Sequence, residues 1–300
     1  MPCPICGEVA SWPIAHRDEP QTEAWRSEAG DSKPYDWRLC RRCGNAFPSA
    51  QPELQVLRRI WQTAREVAGS IPDDEAAVWR YRRHISEVAA GRSYRLFSPL
   101  APRAGRFLDI ACGLGETVRA FADRGWDAEG IDADPSTLAL HQQIGIKSRI
   151  GQFERLDLKG SYDLIHIAHA IYFVTHPMKF IGTVRDHLAP GGLFCVVISD
   201  FMSSVDPNPP AYVHTFIPTR SSMRYALAAA GFDTVFSRRI SGSIYFAARP
   251  TAKPRKVTVY PHIMRLAYRT KKARYLLIGK PNLGLRAIMK RCYGMFRSMP

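Results

Sequence analysis

Four of the seven cysteines stand in two C-x-x-C pairs, Cys3-Pro-Ile-Cys6-Gly and Cys40-Arg-Arg-Cys43-Gly. An odd total argues against a fully paired disulfide set, and paired C-x-x-C turns in a reducing compartment more often bind metal. Four thiolates close a tetrahedral shell, so Cys3, Cys6, Cys40 and Cys43 are expected to hold one structural zinc. The glycine after each pair permits the tight turn such a knuckle needs. Empty thiols or a redox pair are the alternatives.

A second group lies in FLDIACGLGETVRAF, where a strand, a glycine turn and a helix follow one another. The strand brings Asp109 to its carboxyl end, where doubly wound sheets bind ligands. Gly113 and Gly115 let the backbone turn tightly against a ligand, and the following helix offers free N–H groups at its start. Seventeen residues after Gly115, AEGIDAD ends a second strand with Asp132. One ionised carboxylate there can accept from both hydroxyls of a ribose. A dinucleotide loop would need a third glycine where Val118 stands. Asp109 would repel a pyrophosphate but attract a cationic amino-acid moiety, so the loop suits a sulfonium nucleoside better.

The elements that must position these groups follow from periodicity. Residues 53–97 show apolar residues at three- and four-residue spacing, which predicts two helices separated by Pro72 and Asp73. From Arg106 onward, RFLDIA, DAEGID, YDLIHI and LFCVVIS read as strands. GETVRAFADRG, PSTLALHQQIG and MKFIGTVRDHLA read as helices between them. That alternation predicts an α/β fold, a mostly parallel Rossmann-like sheet with helices on both faces. SMRYALAAAGF, TVFSRRI and SIYFAAR then read as helix, strand, strand, with the last strand antiparallel. Four regions are expected: a zinc-ribbon-like module at 1–50, a helical lead-in at 51–104, a ligand-binding domain at 105–249 and a basic helical tail at 250–300. The stretch between the cysteine pairs should hold a hairpin or loop carrying Trp12, Trp25 and Trp37.

The segments LDIACGLG, GIDAD, YDLIHIAHAIYF, LAPGGLFCVVIS and AAAGF resemble, in that order, class I S-adenosylmethionine-dependent methyltransferases over roughly residues 80–249. The resemblance implies that Asp109, Ala111, Gly113 and Gly115 surround the methionine part of S-adenosylmethionine. It implies that Asp132 holds the ribose and that Gln152 and Phe153 flank the adenine. Many relatives carry a leucine-glutamate-histidine signature after the fourth strand; here Ile171, Tyr172 and Phe173 stand there. His169 and Tyr172 remain as polar groups near the methyl, and His169 has the pKa of a general base for a hydroxyl acceptor. Its alternative is a packed or solvated loop histidine. His214, in YVHTFIPTRSSM, is a second candidate contact near the acceptor. DPNPPAY at 206–212 imitates a motif of nucleic-acid amino methyltransferases, but it follows the wrong strand and reads as a proline-rich loop. With the cysteine module in front, the chain is similar to NDP-sugar C-methyltransferases. The implied reaction is O- or C-methylation of a small-molecule or carbohydrate acceptor.

Charge separates the two ends of the chain. Residues 234–300 carry sixteen of the 42 Lys and Arg and no acid, whereas the rest is close to neutral. Within 282–299, Leu285, Ile288, Met289, Cys292, Phe296 and Met299 fall broadly on one helical side, with Arg286, Lys290, Arg291 and Arg297 among and opposite them. A basic amphipathic helix of this kind suits an anionic membrane surface, a docking face on its own domain, or a homodimer partner. An rRNA or tRNA methyltransferase is a rival reading, but the bases lie after the catalytic body and no aromatic-rich basic RNA motif is present. A non-catalytic cofactor-binding regulator is the other rival. No run reaches the roughly 18 apolar residues of a spanning helix, and no signal-peptide pattern opens the sequence. The expected location is cytoplasmic, or peripheral to the inner face of the membrane.

Overall fold

The computed structural model describes residues 1–17, 35–51, 53–55, 57–58, 75–143, 145–202 and 214–274. The expected break at Pro72 and Asp73, Trp25, the 206–212 loop and the 282–299 helix lie outside these residues. Among the described residues there are two sheets. A three-stranded antiparallel sheet is built from β1 (Ser11–Arg17), β2 (Tyr35–Cys40) and β3 (Ala46–Pro48). Trp12 and Trp37 sit on its first two strands, as the expected hairpin requires, and both are buried.

The seven-stranded sheet has the order β6-β5-β4-β7-β8-β10-β9. Its strands are β4 (Arg106–Ile110), β5 (Asp127–Asp132), β6 (Ser148–Ile150), β7 (Tyr162–Ala168), β8 (Leu188–Ser199), β9 (Phe232–Ile240) and β10 (Ser243–Pro250). Neighbours from β6 to β8 pair in parallel, and β10 is antiparallel to both β8 and β9. The expected mostly parallel sheet with an antiparallel last strand is therefore present.

Both faces of this sheet are covered, which is why its central strands are apolar almost continuously. On one face Leu108, Ile110, Ile165, Ile167 and Phe194 meet Phe180, Ile181 and Val184 of α4 (Pro177–Asp186), with Met223 and Leu227 of α5 (Arg220–Ala229). On the other, Phe107 and Leu164 meet Phe97 of α1 (Glu75–Phe97) and Val118 and Phe121 of α2 (Glu116–Ala122). Two further helices among the described residues are α3 (Pro135–Gln143), between β5 and β6, and α6 (Pro261–Arg274) at the C-terminal side.

The small sheet is continuous with this core. Cys3, Ile5, Cys40, Cys43 and Phe47 are buried in the same cluster as Phe216, Met223 and Ala226. Ala46 and Ile217 exchange backbone hydrogen bonds of 3.3 and 2.7 Å. α6 closes the other side: Met264 is buried against Trp37 and Leu39, and the guanidiniums of Arg41 and Arg265 stand 5.1 and 4.9 Å from the Trp12 ring centroid.

Candidate active site

The order of strands reverses at β4, with β5 on one side and β7 on the other, and this is where a doubly wound sheet opens a crevice beyond its carboxyl ends. A cavity of about 280 Å³ lies there. Its walls come from Ala111, Gly113 and Leu114 after β4, Asp132 to Asp134 after β5, Gln152 to Glu154 after β6, and Ala170 and Phe173 after β7. Leu54, Leu57 and Arg58 close it from the N-terminal side.

The turn after β4 is tight because three of its five residues are left-handed: Ala111 at φ 59°, Gly113 at 54° and Gly115 at 80°. Glycine removes the steric cost at two of them; Ala111 bears it. The Asp132 carboxylate grips this turn. Its Oδ2 accepts from the Gly113 N–H at 2.7 Å and its Oδ1 from the Asp134 N–H at 3.0 Å. Each oxygen keeps a second lone pair for a ligand hydroxyl. Burial pushes the Asp132 carboxyl above its ordinary range, and the two N–H donors pull the other way. Gly130 lies beneath because a Cβ there would stand 2.6 Å from Cys112 Sγ.

Asp109 is placed differently from the other expected residues. It is 3% exposed, is absent from the cavity wall, and its Oδ1 accepts from His166 Nδ1 at 2.7 Å. Ala111, Gly113, Asp132, Gln152 and Phe153 all line the cavity, while Gly115 sits one step further as the N-cap of α2.

Beside the cavity, His169, Tyr172 and His214 come together. His169 is held at φ 54° by its N–H to Val197 O at 2.8 Å. Its Nδ1 is 3.2 Å from Ser199 Oγ and its Nε2 is 3.4 Å from Ser243 Oγ. Tyr172 Oη is 3.4 Å from the same Ser199 hydroxyl. The His214 ring packs at a tilt against Tyr172 and Phe173, with centroids 4.9 and 4.8 Å away. Thr215, next to it, donates its N–H to Tyr172 O at 2.8 Å and its hydroxyl to Val174 O at 2.6 Å. Burial and then His166 hold the His169 imidazole below its ordinary pKa, and burial pushes the Tyr172 phenol up to about 12.

Sequence reasoning missed Ser199, Arg58 and His141. Ser199 had a legible signal, since it ends a strand on the ligand side of the sheet. Arg58 lines the cavity, and its Nε has no hydrogen-bond partner among the described residues. His141, fully buried, reaches the glycine turn from α3. Neither of the last two carries a local motif.

The four thiols of Cys3, Cys6, Cys40 and Cys43 all lie within 4.8 Å of one another. Cys3 and Cys43 sulfurs are 3.6 Å apart and Cys6 and Cys40 sulfurs 3.5 Å apart. A tetrahedron with bonds of about 2.3 Å needs edges of roughly 3.8 Å, so the donor set fits zinc in number, chemistry and span. The N–H groups of Arg42 and Cys43 point at Cys40 Sγ at 3.4 and 3.5 Å, as thiolate charge requires.

Strand order, pocket position and the paired turn and acid define the fold of an S-adenosylmethionine-dependent methyltransferase. The chain matches the family described as "Methyltransferase domain" over residues 79–236 and belongs to it. It is 27% identical over 146 residues to a ubiquinone biosynthesis O-methyltransferase of Cereibacter sphaeroides, covering 46% of this chain and 57% of that one. With its counterpart in Pseudomonas aeruginosa it shares 29% over 120 residues, 37% of this chain and 49% of the relative. The chain thus spans about half the length of these curated relatives. Among solved structures, an S-adenosylmethionine-bound amino pentose methyltransferase from Micromonospora echinaspora aligns over 61% of this chain and 99% of its own, at 20% identity and a TM-score of 0.47. The CcbJ methyltransferase of Streptomyces caelestis aligns over 54% and 90%, at 17% identity and a TM-score of 0.46.

Proposed function

We propose that the protein transfers the methyl group of S-adenosylmethionine to an oxygen or carbon of a small-molecule or carbohydrate acceptor. The observation that carries this reading is the Asp132 carboxylate, fixed by two backbone N–H groups yet open to a cavity at the carboxyl end of the sheet. Asp132 would accept from the ribose hydroxyls, with Gln152 and Phe153 beside the adenine and Ala111 to Gly115 along the methionine part. Arg58 offers a cation for the terminal carboxylate. Asp109, bound to His166, supports the turn from below rather than touching the ligand.

The bound donor supplies an activated methyl on sulfur, and in-line displacement leaves a neutral thioether. The protein's part is placement and proton removal. His169 is neutral at pH 7 because its pKa is depressed, so it can take the acceptor's proton. Tyr172 keeps its proton and serves as a donor to Ser199 or to the acceptor. His214 and Phe173 give the acceptor an aromatic wall. Incubating the protein with labelled donor and a panel of sugar nucleotides, phenols and polyols tests the activity; no label transfer to any of them would count against it.

The cysteine cluster is read as one structural zinc site, supported by the sulfur spacing and the N–H contacts above. A closed four-sulfur shell supplies folding energy rather than chemistry. For the basic C-terminal region we favour an anionic membrane surface. Tyr260, Ile263 and Leu266 are more than 60% exposed on or beside α6, with Arg265 and Arg269 along the same helix. Among the described residues no helix is long and apolar enough to cross a membrane.

A further inference from the structure

The glycine turn is closed by one backbone hydrogen bond of its own, Gly115 N–H to Cys112 O at 2.9 Å, which leaves both polar groups of Gly113 to be held from outside. Three residues in five are left-handed, and Gly115 caps α2 without a side-chain hydrogen bond. A strained turn persists only where its surroundings fix it. Asp132 fixes it on the ligand side through the Gly113 N–H. The other half of the same residue is fixed from behind: Gly113 O lies 2.9 Å from His141 Nε2.

A carbonyl oxygen only accepts, so Nε2 must carry the hydrogen. The other ring nitrogen is 2.8 Å from Ser148 Oγ, the first residue of β6. In a neutral ring Nδ1 is then the acceptor and the Ser148 hydroxyl the donor. His141 is fully buried, and a Cβ at Gly115 would stand 2.8 Å from its Nε2, so the ring lies directly under the turn. α3 and β6 thereby lock one tautomer, and that tautomer holds the Gly113 carbonyl, in the peptide that follows the one whose N–H bonds Asp132.

We infer that His141 is a positioning residue for the donor site. It acts through Gly113 on Asp132, with the Gly113 carbonyl selecting the Nε2–H tautomer and the Ser148 hydroxyl donating to Nδ1. This rests on reading the cavity as the S-adenosylmethionine site. The role needs a ring donor at one point in space and no charge.

The test uses the full-length protein and S-adenosylhomocysteine as probe. His141→Phe keeps the ring volume, removes the donor, and should weaken calorimetric affinity by about tenfold, the effect of one buried hydrogen bond. His141→Gln places an amide N–H near the Nε2 position and should return affinity to within about threefold of the parent. Two-bond proton–nitrogen spectra of the unsubstituted protein should show a neutral Nε2–H ring for His141, a result that needs no variant to fold. An Nδ1–H tautomer, or unchanged affinity in a folded His141→Phe protein, overturns the inference. Absence of any binding by the parent protein defeats the donor-site reading itself, and the spectra still decide the hydrogen bond.

Discussion

Asp109 and His166 face each other across the paired strands β4 and β7, joined by a 2.7 Å hydrogen bond with side chains 5% and 1% exposed. Phe97 and Phe107 enclose the imidazole, so water cannot replace either partner. His166→Leu should therefore cost about 3 kcal/mol by stranding a buried carboxylate. Adding Asp109→Leu should recover part of that loss in denaturant titrations. Asp109→Asn, which still accepts from His166, should keep S-adenosylhomocysteine affinity within about threefold of the parent. A much larger loss would place Asp109 in direct contact with the ligand.

Asp132 is expected to behave in the opposite way. Charge-assisted hydrogen bonds contribute about 1.5–3 kcal/mol each, so Asp132→Ala should weaken S-adenosylhomocysteine binding at least ~10-fold. Calorimetry showing equal affinity would falsify the ribose assignment.

His169 makes a prediction about pH. Its folded pKa lies below the ordinary 6.5, with burial as the main cause. As pH falls through 6.5 the unfolded chain takes up a proton that the folded chain refuses, so stability declines there. Above that value the group contributes no pH dependence. Denaturation midpoints of the parent, measured relative to His169→Gln, should be flat above about pH 7, fall as the pH drops through 6.5, and level off only below the lowered folded pKa. A difference that is flat or rises on acidification is the contrary result.

Metal analysis of protein purified without added zinc should find about one equivalent per chain, the content of one closed four-thiolate site. Changing Cys40 and Cys43 to Ser together should abolish it and lower thermal stability, because these residues lie within the shared core. Retention of a full equivalent in that variant would rule the site out.

Vesicles rich in phosphatidylglycerol should retain the protein at low salt, and neutral phosphatidylcholine vesicles should not. Each base near such a surface contributes roughly 1 kcal/mol, and exposed apolar groups add burial. Ile263→Glu with Leu266→Glu should reduce retention without changing S-adenosylhomocysteine affinity. If retention is absent and light scattering instead shows a dimer broken by these changes, the face joins two copies of the chain.

The sheet was legible wherever the signal is local. DAEGID coincides with β5, and the glycine turn announced its own strand and helix. Less local features were harder. Three residues of β6 carry no period. The helix read as extending to Ala189 stops at Asp186, because His187 turns its Nδ1 onto Thr183 O at 2.8 Å and β8 starts at Leu188. His141 and Ser243 reach the site through contacts 28 and 74 residues apart, and Ser148, 7 residues from His141, opens a strand without a period, so no local motif marks them. His169 and Tyr172 could be named from their place after β7; Ser199 was legible as a strand end, but its pairing with them depends on β8 lying beside β7.

The exchange of hydrogen bonds between Ala46 and Ile217 has a bearing on how such proteins can change over generations. Ile217 is two residues from Thr215, which holds Tyr172, and three from His214. Gln51 adds a 3.0 Å bond to Thr215 O. A front end inherited from another lineage would meet this segment with the wrong edge and leave Phe216 and Met223 without their cover. Recombination at the apparent seam near residue 50 should thus be tolerated only when the 214–219 stretch travels with it. Chimeras made with and without that stretch would show whether the two pieces are inherited as one unit.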